Sequence, residues 1–183
     1  PPAVSAAIAE CVLTGFSEEV FFRGFLLSVL VKRLWEKRGG IAFGVLLSSA
    51  IFGMMHWSNC LEKIDVGPGF HIGFDITTQS TVSALVQMVY ATFIGVFSAA
   101  VLLKSNKLWP LVLMHALVNF PASLRRMTER AATEPDGGGQ AGAESLVIDL
   151  GAVLWTAPLL VIGLLLLRTV KPADIARKLG GAA

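Results

Sequence analysis

The chain has 183 residues, of which 54% are hydrophobic and only 15% carry a charge. Soluble domains carry about 25% charged residues, so this composition indicates a membrane protein. The net charge of +2 is too small to indicate a nucleic-acid partner, and no cluster of lysine and arginine alternates with aromatic residues. The length suits a single domain with about five membrane-spanning helices.

Five apolar segments predict an all-α fold, a polytopic membrane helical bundle with about five transmembrane helices. In chain order they are residues 3–35, 41–57, 81–103, 108–124 and 146–167. As an α-helix the first segment would be about 48 Å long, which exceeds the ~30 Å hydrocarbon core. We therefore expect it to be tilted, to be kinked near Gly15, or to extend beyond the membrane at its C-terminal end.

Two polar segments interrupt the apolar pattern, at residues 58–80 and 125–145. The second contains the run Pro135-Asp-Gly-Gly-Gly, which predicts a mobile loop without regular structure. We predict a single transmembrane domain over residues 1–183. Its motif-bearing core covers about 9–124, and the second polar segment is followed by an additional span and a basic tail.

The distribution of lysine and arginine predicts the orientation of the bundle. Ten of the fifteen follow the first, third and fifth spans, and four lie in the other two connections. Because basic residues favour the cytoplasmic side, the N-terminus is predicted to lie outside and the C-terminus in the cytoplasm. The remaining basic residue, Arg23, lies inside a span.

Three charged residues, Glu18, Glu19 and Arg23, lie inside the first apolar segment. Charges at membrane depth are costly, so they are rare unless they pair or serve a function. Glu19 and Arg23 are four residues apart, so they share one helix face and are expected to form an ion pair. Glu18 points about 100° away from Glu19, which leaves its carboxylate free for chemistry. The alternative is that all three only hold transmembrane helices together.

The other spans contain few polar side chains. His56 ends the second span, while His115 and Asn119 lie four apart on one face of the fourth. Counted from the predicted cytoplasmic ends, these residues and Glu18 lie roughly 12 to 24 Å along their helices. Three helices therefore place their unusual polar residues at similar depth, as expected if they line a single cavity. For each histidine alone, the alternative is a buried interhelical hydrogen bond.

One carboxylate and two histidines allow two kinds of site. Glu18, His56 and His115 could bind a divalent metal such as Zn²⁺, with water as the fourth ligand. Alternatively no metal takes part, and Glu18 acts as general base on a water held by His56. In that case His115 and Asn119 stabilise an oxyanion. The HExxH signature of soluble zinc proteases is absent from the sequence.

The polar residues form three motifs: EEVFFR from Glu18 to Arg23, FGMMH from Phe52 to His56, and HALVN from His115 to Asn119. In this order they resemble the CAAX protease and bacteriocin-processing family, also called the Abi family of intramembrane proteases. Its pattern is EExxxR, then FxxxH, then HxxxN or HxxxD. All three motifs on successive hydrophobic segments are highly specific, and the resemblance covers about residues 9–124.

The resemblance implies a role for each polar residue of the first two motifs. Glu18 would be the catalytic carboxylate, and the Glu19–Arg23 pair would give structural support to the helix. His56 would position the attacking water or bind a metal. The implied enzyme is therefore a glutamate- or metal-dependent endopeptidase that acts within the membrane.

The same resemblance implies that His115 and Asn119 bind the metal or stabilise the oxyanion. Family members of known activity remove the last three residues of prenylated CAAX proteins, and others are linked to bacteriocin maturation or self-immunity. The expected partners are thus a peptide or prenylated protein substrate and the lipid bilayer. The compact motif spacing favours a bacterial inner membrane over an endoplasmic reticulum or chloroplast membrane.

Two other classes of function also fit these residues. A non-catalytic membrane scaffold or bacteriocin self-immunity protein could keep the same fold, although it would not need the four polar side chains. A transporter could use Glu18 and the histidines as a proton relay, but the sequence lacks an internal repeat. The predicted depth places the site slightly toward the outer side, whereas a CAAX-type enzyme opens to the cytoplasm. Either the orientation or the substrate class therefore differs from that expectation.

Overall fold

The computed structural model describes residues 2–60, 78–132 and 141–178. Within these ranges the chain is helical apart from short turns and contains no β-strand, so the predicted all-α bundle is confirmed. The helices in chain order are α1 (Pro2–Glu19), a π-helix (Val20–Leu27), α2 (Ser28–Leu34), α3 (Gly40–Met55), a 3₁₀ helix (His56–Cys60), α4 (Thr78–Ser105), α5 (Trp109–Ala132), α6 (Ala141–Arg168) and α7 (Pro172–Lys178).

The first predicted span consists of α1, the π-helix and α2, which follow one another without a break. The irregularity expected near Gly15 lies elsewhere, because α1 remains α-helical as far as Glu19 and the helix type changes at Val20. The π-helix buries Phe22 and Arg23 against the bundle. Its backbone bonds join residues five apart, and such segments are rare and often occur at functional sites.

Small residues allow α3 and α4 to pack closely. A side chain at Gly53 would collide with Thr92, and a Cβ at Gly95 would lie only 2.9 Å from the Ser49 Cβ. Helices in lipid associate through such close van der Waals packing, because apolar surface gains little by leaving an apolar solvent. The 3₁₀ helix that begins at His56 also packs on α4, so the end of α3 is held firmly.

Helix α6 packs along α4 through another small residue. A Cβ at Gly163 would lie 2.9 Å from the backbone of Phe97, so the two helices are in direct contact. The opposite side of α6 exposes Leu154 and Trp155, which are 76% and 85% accessible. Large exposed apolar side chains of this kind suit contact with lipid. The additional span thus joins the bundle through α4.

Three helical segments are long and apolar enough to cross a membrane, namely Gly40–Ser58, Thr81–Ser105 and Gly151–Arg168. The fourth predicted span corresponds to a shorter apolar helix, Trp109–Leu124. Helix α1, with 18 residues, is long enough to cross a membrane, but it carries three carboxylates. It is therefore not one of the three candidate spans. These helices support the prediction of a membrane protein.

The second polar segment, residues 125–145, was wrongly predicted to be a loop throughout. Helix α5 continues to Ala132 and α6 begins at Ala141, while the apolar part of α5, Trp109–Leu124, agrees with the predicted fourth span. The residues added to α5 include Arg, Met, Glu and Ala, which favour helix although they interrupt the apolar pattern. Residues 133–140 of the predicted mobile loop, and 61–77 of the first polar segment, lie outside the described residues.

A cluster of buried apolar side chains connects α2, α3, α4 and α7. Its fully buried members are Leu27, Val31, Val45, Val96, Ala99 and Ile175. Through Ile175, the described part of the basic tail packs onto the bundle. The polar motif residues lie outside this cluster, on α1, the π-helix, the 3₁₀ helix and α5.

Candidate active site

A close approach of α1 and α5 brings two of the motifs together. A Cβ at Gly15 would lie 3.1 Å from the Val112 carbonyl oxygen, so only glycine fits this contact without a shift of the helices. One turn later on α1, the side chains of Glu18 and Glu19 reach His115 on α5. The glycine therefore sets the separation at which the carboxylates and the imidazole meet.

His115 lies between two consecutive carboxylates. Its Nδ1 is 2.9 Å from Glu19 Oε1, and its Nε2 is 3.3 Å from Glu18 Oε2. Adjacent helical residues point about 100° apart, which lets the two carboxylates reach opposite edges of one ring. The carboxylate of Glu19 accepts the Nδ1–H bond, so Nδ1 carries a proton and Nε2 faces Glu18.

Arg23 completes the surroundings of Glu19. Its Nη1 lies 3.3 Å from Glu19 Oε1, and the predicted ion pair is therefore present. The guanidinium carbon also lies 4.1 Å from the centre of the Phe52 ring, within the range of a cation–π contact. Glu19 and Arg23 are both buried, so each charge is compensated by the other and by these neighbours.

His56 belongs to the same region but does not touch the carboxylates. Its Nδ1 is 3.1 Å from the Phe52 carbonyl oxygen. When Nδ1 carries the proton, it donates a hydrogen bond to this oxygen, and Nε2 can act as an acceptor. The Phe52 ring stands edge-on to both imidazoles, with its centre 5.1 Å from His56 and 5.9 Å from His115. The aromatic ring therefore contacts both histidines.

Asn119 lies one turn after His115 on α5 and is half-buried. Within the described residues no contact joins its amide to Glu18 or His56. The structure thus brings together Glu18, Glu19, Arg23 and His115 directly, and His56 through Phe52. The predicted depth band agrees with this convergence of α1, α3 and α5, whereas the catalytic roles stay predictions.

The two carboxylates differ in their access to solvent or substrate. The side chain of Glu18 is 31% exposed, while that of Glu19 is fully buried. Glu18 Oε2 makes an ion-pair contact with His115 but no well-formed hydrogen bond to any described residue. Glu18 can therefore accept a proton from a bound water, whereas Glu19 is limited to orienting its neighbours.

The metal site stays a prediction. No group of three potential ligands, whether His, Cys, Asp or Glu, is placed to hold a metal ion in the described part of the chain. His115 Nε2 and Glu18 Oε2 lie 3.3 Å apart, as two ligands of one tetrahedral Zn²⁺ would, whereas His56 contacts neither of them. The described residues thus bring together two of the three predicted ligands.

Two contributors to the site carry no predicted role. Phe52 is part of the second motif, but its ring contacts with Arg23, His56 and His115 depend on three other helical segments. Gly15 was expected at a kink and instead supports the α1–α5 contact. The sequence signal for Gly15 is its position three residues before Glu18, where a small residue permits close packing.

The family model described as type II CAAX prenyl endopeptidase Rce1-like matches residues 1–121 of the chain. The chain belongs to this family. The match agrees with the resemblance inferred from the three motifs. No curated protein and no solved structure matches the chain.

The Rce1-like match includes every predicted site residue from Glu18 to Asn119. It ends on α5 at residue 121, so α6 and α7 lie outside it. Membership in this family supports a CAAX-type intramembrane protease, and the apolar helices support a membrane location. The protease assignment therefore rests on α1 to α5.

Proposed function

We propose that this Rce1-like chain is an endopeptidase that hydrolyses a peptide bond of a membrane-associated or prenylated substrate, with Glu18 as general base. The observation that carries the proposal is His115 held between Glu18 and Glu19 at the junction of α1 and α5. One nitrogen of this buried imidazole is fixed by a carboxylate, and the other faces a more exposed carboxylate. Such an arrangement suits proton transfer. The prenylated substrate class is inferred from the family description.

In the proposed reaction Glu18 takes a proton from a water molecule, and the resulting hydroxide attacks the substrate carbonyl carbon. His56 holds this water through Nε2, which is free to accept when Nδ1 bonds to Phe52. The proton then moves from Glu18, directly or through His115 Nε2, to the nitrogen of the leaving amine as the C–N bond breaks. The products are a new carboxylate and a new amine, and Glu18 returns to its ionised form.

The tetrahedral intermediate carries a negative oxygen that needs donors. The Asn119 amide supplies N–H groups one turn from His115, so we assign the main oxyanion contact to Asn119. His115 contributes through its positive charge when it carries a second proton. This reduces the oxyanion role predicted for His115, because both of its nitrogens already face carboxylates.

The test is cleavage of a fluorogenic prenylated peptide by the full chain in detergent or nanodiscs. Glu18→Gln keeps the size of the side chain but removes the base, so kcat should fall by about 10³-fold or more while the protein remains folded. Ser98→Ala, a buried serine on α4, is the matched control and should retain activity.

Chelation and substrate scope separate the alternatives. Activity that survives strong chelation and is lost in Glu18→Gln supports the proposal. Activity that is lost on chelation and restored by Zn²⁺ would replace it with a metal-dependent mechanism. Absence of cleavage across a broad peptide library would replace it with the non-catalytic scaffold or self-immunity function. Fractionation of a bacterial host would test the proposed inner-membrane location.

A further inference from the structure

A second polar contact joins α1 to α5 at a distance from the candidate active site. Ser123 Oγ donates a hydrogen bond of 2.6 Å to Glu10 Oε2. Ser123 is fully buried, and the distance is typical of a hydroxyl bonded to an ionised carboxylate. Glu10 belongs to none of the three motifs, and Ser123 lies beyond the residues matched by the family model.

This contact and the site contacts belong to one antiparallel register. Eight residues separate Glu10 from Glu18 on α1, and eight residues separate His115 from Ser123 on α5. The contacts are therefore about 12 Å apart along both helices. On α1, Gly15 lies between Glu10 and Glu18, and on α5 it approaches Val112, His115 and Ala116, at the level of the site. Helices α1 and α5 are thus aligned at two levels, one at the site and one at the contact between Glu10 and Ser123.

A proline weakens α5 between the site and the second contact. Pro121 lies inside the helix, two residues before Ser123. It has no N–H to bond to the carbonyl of Leu117, and a proline ring displaces the preceding turn. The backbone ladder has one bond fewer at this point, although α5 continues as one helix from Trp109 to Ala132. The contact between Glu10 and Ser123 ties the helix to α1 just beyond the proline.

We propose that the hydrogen bond between Glu10 and Ser123, called here the clasp, is a positioning device for the active site. It fixes the register of α1 against α5 and so keeps Glu18 and Glu19 on His115. A slide of one residue moves side chains by about 1.5 Å along the helix axis. Misplacement of about 1 Å at a reacting centre can lower the rate about 100-fold. Glu10 and Ser123 act through the site residues and are positioning residues.

The kinetic test rests on the proposed function and uses the full chain with a prenylated peptide. Ser123→Ala removes the donor, and kcat should fall about 10- to 100-fold with KM within about twofold of wild type. Ser123→Thr keeps the hydroxyl and should restore most of kcat. Ser98→Ala is the matched control, because Ser98 is also fully buried but has no hydrogen-bond partner among the described residues.

The two partners should show non-additive effects. Glu10→Gln retains an acceptor oxygen without the charge, so its loss of kcat should be smaller than that of Ser123→Ala. The double variant Glu10→Gln/Ser123→Ala should be no worse than Ser123→Ala alone. If Ser123→Ala does not accumulate as folded protein, the kcat of Glu10→Gln is compared with that of wild type instead, and it should be lower.

A cross-linking readout does not depend on activity. Cys11 is a buried thiol on α1, one residue after Glu10. With Cys60 changed to Ser, single cysteines at Phe120, Ala122 and Leu124 on α5 report which position forms a disulfide with Cys11 fastest. With Ser123 in place, one of these positions should form the disulfide much faster than the others. In the Ser123→Ala variant, neighbouring positions should react at similar rates.

The outcomes separate the two proposals. An unchanged cross-linking pattern together with kcat within twofold of wild type in Ser123→Ala would overturn the clasp. A rise in KM at constant kcat would also overturn it, because the contact would then act on substrate binding. A wild-type chain that cleaves nothing contradicts the proposed function, whereas the cross-linking pattern still decides the register of α1 and α5.

Discussion

His115 Nδ1 donates a hydrogen bond of 2.9 Å to Glu19 Oε1, although 96 positions of sequence separate the two residues. The same carboxylate oxygen lies 3.3 Å from Arg23 Nη1. Glu19 therefore links the charge pair on its own helix to the imidazole on α5. A carboxylate that fixes one imidazole nitrogen sets the direction of the other, here toward Glu18.

The two neighbouring carboxylates should respond differently to the same substitution. Glu19→Gln removes the charge that compensates buried Arg23, so it should lower stability by about 3–5 kcal/mol as well as kcat. Glu18→Gln should abolish turnover and leave stability nearly unchanged, because its side chain is 31% exposed. Thermal unfolding and kcat measured on both variants check this. Equal destabilisation by the two changes would contradict the division of roles.

Gly15 should be sensitive to any added side chain. Gly15→Val places atoms against the Val112 carbonyl and forces α1 away from α5, so kcat should fall by at least about tenfold. Gly151→Ala on α6 is the matched control, since a Cβ there meets no described residue within 4 Å. The control should retain activity and gain up to about 1 kcal/mol from helix propensity. A fully active Gly15→Val variant would show that the close approach is unnecessary.

The Phe52 ring should matter beyond its hydrophobic volume. Phe52→Leu keeps an apolar side chain but loses the cation–π contact with Arg23, which is worth about 0.5–2 kcal/mol. It also removes the ring that contacts both His56 and His115, so kcat should fall more than the loss of folded protein explains. Phe97→Leu, on α4 away from the site, provides a comparison of the same chemical change. Equal effects of both on kcat would reduce Phe52 to a packing residue.

The contact of α6 with α4 allows the last long helix to be tested separately from the site. Gly163→Leu would push α6 away from Phe97, so stability should fall by about 1–3 kcal/mol. Since the family match and all motif residues lie before α6, kcat of the folded fraction should remain within about threefold of wild type. Thermal unfolding measures the stability, and titration of the active fraction gives the kcat of the folded protein. A complete loss of kcat at normal stability would place α6 in the catalytic unit.

The sequence predicts those features of the site that depend on local spacing. Glu19 and Arg23 are four apart on one helix, so their ion pair follows from helical geometry. The similar depth of Glu18, His56 and His115 likewise follows from counting residues along apolar segments. Composition and hydropathy also predict the all-α bundle, and the three motifs predict the family.

The remaining features depend on contacts between distant segments, which spacing does not determine. The relative rotation of α1 and α5 decides that both carboxylates reach His115, and the packing of α3 brings Phe52 against Arg23 and His115. The extension of α5 to Ala132 was missed because its polar residues interrupt the apolar pattern while still favouring helix. The π-helix has no signal in hydropathy at all.

The π-helix holds one residue more between α1 and α2 than an α-helix with the same total rotation. Each of its hydrogen-bonded loops contains one residue more than a loop of an α-helix, so the segment can shed one residue and remain helical. Loss of a single residue from Val20–Leu27 would convert the segment to α-helix and leave the orientation of α1 relative to α2 nearly unchanged. Glu18 and Glu19 would stay directed toward His115, whereas Arg23, which lies inside the segment, would change its position relative to Glu19. The extra residue therefore sets the placement of Arg23 more than that of the two carboxylates.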